Sequence, residues 1–196
     1  MDALPFGEYP IDPVLSPYIK SIWSFENKRS VENAPRERIL PDGCVELVFH
    51  FHDPFRTHFA SGTNERQPRS FVVGQMRRFL EIAPVGRSGF IAVRFHARGA
   101  YLFFPRPLHR ITAGVVDLAG LWRQRASEWT DRIGSAGEMS ERVRIVEEAL
   151  HAALRANGRH DSMVDRCLQL IETSAGQSTV AQLASEIGAS SRHLTR

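Results

Sequence analysis

Residues 44–52 read CVELVFHFH, and this stretch decides the first half of the fold. A strand points successive side chains to opposite faces, so Val45, Leu47, Phe49 and Phe51 share one side while Cys44, Glu46, Val48, His50 and His52 share the other. The first side is a core face. The second is half polar, and it either meets solvent or lines a cavity. Just before the strand, Pro41-Asp42-Gly43 forms a turn in which proline presets φ and glycine is free to take positive φ.

Working outward, Tyr18 to Phe25 (YIKSIWSF) has the aromatic and β-branched content of a strand, with Ile19, Trp23 and Phe25 alternating against Tyr18, Lys20 and Ser24. Met1 to Pro17 carries four prolines and is expected to wrap the surface as irregular chain. Asn27–Pro35 and Asp53–Arg69 read as polar loops, with a short extended piece at Arg38–Leu40. Strands are expected at Ser70–Gly74, Phe79–Ala83 and Gly89–His96, broken by Pro68, Gly74 and Pro84-Val85-Gly86. Short strands at this spacing suggest an antiparallel sheet or small barrel. Gly99–Phe104 begins a short helix that Pro105 and Pro107 stop.

From Asp117 the period changes from two to 3.6. Leu118, Leu121 and Trp122 fit one helical face, and Trp129 and Ile133 continue it. Ser135 and Glu138 have the spacing of a capping box for a helix on which Met139, Val143, Val146, Leu150, Ala153 and Leu154 share a face, ending at Asn157-Gly158. A further helix starts at Ser162, with Val164, Cys167, Leu168 and Ile171 inward. Last comes Ser178–Arg196, STVAQLASEIGASSRHLTR. Thr179 is an N-cap with Gln182 placed to close the box, Val180, Leu183, Ala184 and Ile187 share a face, Gly188 turns the chain, and Ser190 caps a second helix on which Leu194 packs back. That pattern is the grammar of a helix-turn-helix, although an αα-corner has similar spacing. The fold class is therefore α+β, with residues 1–116 β-rich, 117–176 a helical linker or dimerisation region, and 177–196 the start of a DNA-binding helix pair.

The terminal string TVAQLASEIGASSRHLTR closely resembles the first helix-turn-helix of the AraC/XylS transcription regulators. ILPDGCVELVFHF and FIAVRFHARGAYLFFPRPLHRITAGVVDLAGLW resemble the sensor domain of one AraC subfamily, with departures at Ala97 and at Pro105-Arg106-Pro107. The resemblance implies an N-terminal domain that binds an effector or a partner subunit and passes the signal through linker helices to double-stranded DNA. It also implies that the DNA-binding region stops a turn and a half into its first recognition helix, with Arg192, His193, Thr195 and Arg196 at the groove or its phosphates. Regulators of this kind commonly act as homodimers, and the apolar stripe between Met139 and Leu154 can serve a partner helix or pack on the β domain.

Composition is compatible with that role. The 196 residues are 42% hydrophobic with a formal net charge of +3, enough for one sizeable core and a small helical appendage. No run of about 18 apolar residues and no signal-like N-terminus is present, and the two cysteines, Cys44 and Cys167, form no C-x-x-C; a reduced, cytoplasmic protein is expected. Charge is uneven: residues 54–110 hold ten Arg against two Glu.

For an effector site the candidates are Glu46, His50 and His52 on the half-polar face, Arg94 and His96 on a neighbouring strand, and Trp23 as an aromatic wall. Arg94 is the natural partner for a buried Glu46. The same residues are also compatible with a solvated face. His-x-His on a strand, with His96 or His58, also has the spacing of metal ligands, which makes a metal-dependent enzyme on a cupin-like barrel the alternative reading. A nucleophilic Cys44 backed by His50 is excluded by distance, since the two lie about 20 Å apart along an extended strand. No glycine-rich phosphate cassette is found, which argues against a cyclic-nucleotide regulator. The expectation is a regulator and not an enzyme, with no cofactor and no resident metal.

Overall fold

A computed structural model describes residues 6–27, 30, 34–97, 99–105, 107–111, 114–158 and 161–194. The chain divides into two compact units, Met1–Gly158 and Arg159–Arg196. The 117–176 region that periodicity marked as a linker is thus shared between them.

The first unit is built on two antiparallel sheets. The larger has the order β1-β2-β9-β4-β7-β10, and its strands are β1 (Phe6–Tyr9), β2 (Ile19–Glu26), β4 (Glu46–His50), β7 (Ser70–Val73), β9 (Gly89–Phe95) and β10 (Val115–Asp117). The smaller has the order β3-β8-β5-β6, from β3 (Glu37–Ile39), β5 (Arg56–His58), β6 (Asn64–Arg66) and β8 (Leu80–Ala83). Helices α1 (Ala119–Trp122), α2 (Gln124–Ser135) and α3 (Met139–Asn157) complete the unit. The fold is α+β, as periodicity indicated.

The CVELVFHFH strand lies inside the larger sheet, and both of its faces are covered. Leu47, Phe49 and Phe51 join Ile91 and Val93 of β9 in a core that Leu121, Ile133, Val146 and Leu150 close from the helical side. On the opposite face Val48 packs with Phe25, Phe55, Phe71 and Phe90, and Ile82 of the smaller sheet adds to them. Alternation thus sorted the β4 side chains correctly. It failed on β2, where the register shifts between Ile19 and Ser21. An extra residue in one strand reverses the facing of every residue beyond it. Ile19 and Ile22 therefore enter the helix-side core, while Trp23 and Phe25, expected beside Ile19, face the aromatic cluster.

Two regions read as irregular are strands. Phe6–Tyr9 pairs with β2, the Tyr9 hydroxyl meeting Ser24 at 2.8 Å. Arg56–His58 and Asn64–Arg66 pair as a hairpin across Gly62, whose φ of +85° suits glycine. Neither segment shows apolar alternation: no residue of Phe6–Tyr9 is buried, and of the two hairpin strands only Thr57 is.

The expected Ser135–Glu138 capping box does not form. Ser135 is the last residue of α2, and its hydroxyl donates to the Asp131 and Arg132 carbonyls at 2.7 and 3.2 Å. Glu138 occupies the N-cap of α3 without a side-chain cap bond. Instead, buried Arg142 of α3 donates to the Ile133 and Ala136 carbonyls at 3.3 and 2.6 Å, meeting acceptors orphaned where α2 ends, with its guanidinium 4.1 Å from the Phe51 ring centroid. The apolar stripe of α3 is accordingly spent on its own unit: Val146, Leu150 and Ala153 are buried, and Met139, Val143 and Leu154 pack against the same core.

The second unit contains α4 (Ser162–Thr173), α5 (Val180–Glu186) and α6 (Ser191–Leu194). Asp161 caps α4, its carboxylate accepting from Met163 and Val164. No residue of α4 is buried, so Val164 and Ile171 do not face inward as periodicity implied. The Thr179 capping box is present: the Gln182 amide donates to Thr179 Oγ1 at 3.2 Å and the Thr179 amide to Gln182 Oε1 at 2.8 Å. Thr179→Ala is expected to destabilise α5 by about 1 kcal/mol, read as faster hydrogen exchange at the Gln182 and Leu183 amides. Among the described residues no helix is long and apolar enough to cross a membrane, and Cys44 and Cys167 are free thiols.

Candidate functional site

Pairing of β4 with β9 sets Glu46 directly opposite Arg94. Glu46 Oε1 accepts from Trp23 Nε1 at 2.8 Å and lies 3.3 Å from Arg94 Nη2, while Arg94 Nη1 lies 3.5 Å from Asp42. The Glu46 side chain is only 18% exposed. Burial pushes its pKa above the ordinary carboxylate value, against the pull of Arg94 and the Trp23 hydrogen bond. Arg94 Nε is buried without a hydrogen-bond partner. Trp23, Glu46 and Arg94 thus form one cluster, in which Arg94 partners Glu46 as expected and Trp23 adds a hydrogen bond to the same carboxylate.

His50 sits deeper on the same face. Its ring packs against Phe55, Phe71 and Phe90, with centroids 5.7–5.8 Å apart. Nε2 meets Gln67 Oε1 at 3.1 Å, and the Gln67 amide nitrogen continues to Thr57 Oγ1 at 3.2 Å; all three residues are buried. Nδ1 has no hydrogen-bond partner. Burial drives the imidazole pKa down to about 4, against the opposing influence of Gln67 and the Gly89 carbonyl. His50 is therefore a neutral ring in an aromatic box, with its proton on Nε2, where Gln67 Oε1 accepts it.

The other two candidates lie elsewhere. The strand ends at His50, so alternation no longer places His52, which pairs with Glu26 at 3.4 Å beside Arg87 at 3.2 Å. Burial works against the Glu26 charge, but the bonds from Arg87 and His52 outweigh it and hold that carboxyl below its usual range. His96 lies just beyond β9, exposed, with its amide bound to the Tyr18 carbonyl at 2.9 Å. The four histidines considered as ligands, His50, His52, His58 and His96, do not gather. Among the described residues no three His, Cys, Asp or Glu side chains come together as a metal site.

Sequence reasoning missed a cleft of about 590 Å³ where the smaller sheet faces Val73 and Val115. Thr57 and Gln67 line it together with Arg66, Arg77, Arg78 and Phe79. Most of its residues lie outside the stretches read as strand, and the one signal for them was the excess of Arg over Glu in residues 54–110. In the second unit, Leu183 and Ala184 are buried, Gly188 turns the chain with φ of +67°, and Ser190 Oγ accepts from the His193 amide at 3.2 Å. Arg192 and His193 are exposed on α6; Thr195 and Arg196 lie outside the described residues.

These features define a two-sheet α+β domain carrying a small helical unit. Residues 7–117 match the family described as a domain of unknown function, DUF6597, and the chain belongs to that family. No curated protein matches the chain. Among solved structures it is similar to the AraC-like transcriptional activator CuxR, at 13% identity over 96% of this chain and 78% of that one, with a TM-score of 0.35. It is also similar to HEPD from Streptomyces albus with 2-hydroxyethylphosphonate and Fe(II) bound, at 12% identity over 96% of this chain and 42% of that one, with a TM-score of 0.34. Likeness this low carries no argument about what the chain does.

Proposed function

We propose that this chain is a transcription regulator of AraC type, in which the β-rich unit senses a small-molecule effector and α5 and α6 open the element that contacts double-stranded DNA. The observation that carries this reading is the terminal helix pair. Its residue pattern resembles the AraC/XylS motif, and it has the reciprocal Thr179–Gln182 cap, the left-handed Gly188 and two cationic-capable side chains, Arg192 and His193, exposed on the second helix. A helix presented this way places such side chains at phosphates or base edges. The division into 1–116, 117–176 and 177–196 belongs to the same proposal, as do the site residues and a cytoplasmic location.

The described part of α6, Ser191–Leu194, offers one turn to a groove, and specific readout needs several side chains along a longer helix. The 196-residue chain is therefore expected to bind duplex DNA weakly, with strong salt dependence and little sequence preference. Fluorescence anisotropy across a salt series tests this, and Arg192→Ala should reduce the log–log salt slope by about one. Nanomolar sequence-selective binding, or binding indifferent to both salt and Arg192, would overturn the assignment. The proposed homodimer must use a face other than the buried stripe of α3. The alternative, a metal-dependent enzyme, requires converging ligands, and metal analysis of the purified protein tests it.

A further inference from the structure

We propose that the cleft between the two sheets binds a small organic acid, a carboxylate carried on a compact apolar or aromatic body. The assignment deepens the sensory role proposed above and rests on it for its biological meaning. At about 590 Å³ the cleft falls in the range of small-molecule sites.

Its floor is polar and built. Thr57 and Gln67 are both buried, and His50 fixes the orientation of the amide from behind. A neutral His50 gives its Nε2 proton to Gln67 Oε1, so the amide NH2 is turned to Thr57. The Thr57 hydroxyl accepts that bond and keeps its own proton to donate. The rim is cationic: Arg66, Arg77 and Arg78 line the cleft against a single carboxylate, Glu65. Arg66 is tied to Asp53 at 2.8 Å. Arg77 and Arg78, adjacent and exposed, make no ion pair among the described residues, and an anion would relieve their mutual repulsion.

Donors on the floor and guanidinium groups at the rim call for an acceptor-only head, which a carboxylate or phosphate provides. The walls rule out a bare anion. Phe59 and Phe79 line the cleft at 42% and 52% exposure, with Val73, Leu80 and Val115 beside them. Covering that apolar surface rewards a ligand with a hydrophobic body, and inorganic phosphate has none.

Calorimetric titration of the whole 196-residue chain with benzoate and phenylacetate tests the proposal, with benzyl alcohol as the neutral counterpart and inorganic phosphate as the anion without a body. Saturable binding of a carboxylate, at least tenfold tighter than benzyl alcohol or phosphate, is expected. The double variant Arg77→Ala/Arg78→Ala should weaken it at least tenfold with an unchanged melting temperature, and Phe79→Ala should weaken it as well. Absence of binding by both carboxylates, equal binding of benzyl alcohol or of phosphate, or indifference to the arginine pair would overturn the site. DNA affinity measured with and without saturating carboxylate separates the two readings: binding that leaves DNA affinity unchanged supports the site and overturns the sensory role.

Discussion

Phe49→Ala is expected to lower the free energy of unfolding by about 3–5 kcal/mol, the range for truncating a fully buried aromatic ring. Phe49 is 0% exposed and sits opposite Ile91 on one neighbouring strand and Ser70 on the other. Its ring belongs to the core shared by the larger sheet and the helices, so its removal leaves a cavity walled by both layers. Backbone on three adjacent strands prevents that cavity from closing by collapse. Since domains of this size are stable by about 5–15 kcal/mol, the variant should sit near the edge of folding at 37 °C. Urea titration at neutral pH reads the effect as a lower midpoint with an unchanged slope. A loss below about 1 kcal/mol would show that this ring is not packed on both sides.

The second large effect is an acid destabilisation carried by His50. Its pKa is about 4 in the folded protein against an ordinary 6.5, and the residue is only 1% exposed. The unfolded chain therefore binds a proton in this window that the folded chain refuses. Stability is full above pH 6.5, falls as pH drops through the window, and stops falling from this source below about pH 4. The shift corresponds to about 3 kcal/mol. Glu26, Glu81 and Glu148, whose pKa values are lowered, lose their contributions only below the ordinary carboxylate range. Glu46 acts with the opposite sign, because its pKa is raised and its contribution is lost as pH increases. Urea midpoints from pH 7 to pH 4 should thus fall steeply in the parent protein and much less in His50→Gln, which keeps a polar group beside Gln67. Equal slopes in the two proteins would sink the assignment.

Glu46 and Arg94 illustrate how far local pattern reaches. Opposite charges on two adjacent half-polar strands made them natural partners, and the register places them face to face. Trp23 joined them for a reason no pattern contained. The shift between Ile19 and Ser21 turned its indole toward Glu46, whereas simple alternation had put it on the same side as Ile19. His52 and His96 fell away because each lies past the end of its strand, where alternation no longer applies.

The sequence by itself determined the elements whose signals are local. The two faces of residues 44–52, the turn at Gly43, the stop at Gly158 and the capped α5 followed from side-chain period, glycine freedom and reciprocal hydrogen bonds within a few residues. Tertiary structure alone decided what depends on pairing across distance. The polar hairpin β5–β6 gains its order from β8, and Ser135 ends α2 because Arg142, nine residues beyond Ile133, meets the carbonyls at that terminus. The Thr57–Gln67–His50 relay draws on a hairpin strand, the segment after it and a central strand, and the cleft above it exists only where two sheets converge. Burial, which makes His50 neutral while Arg77 and Arg78 stay exposed at the cleft, is a property of the packed chain and has no period to be read.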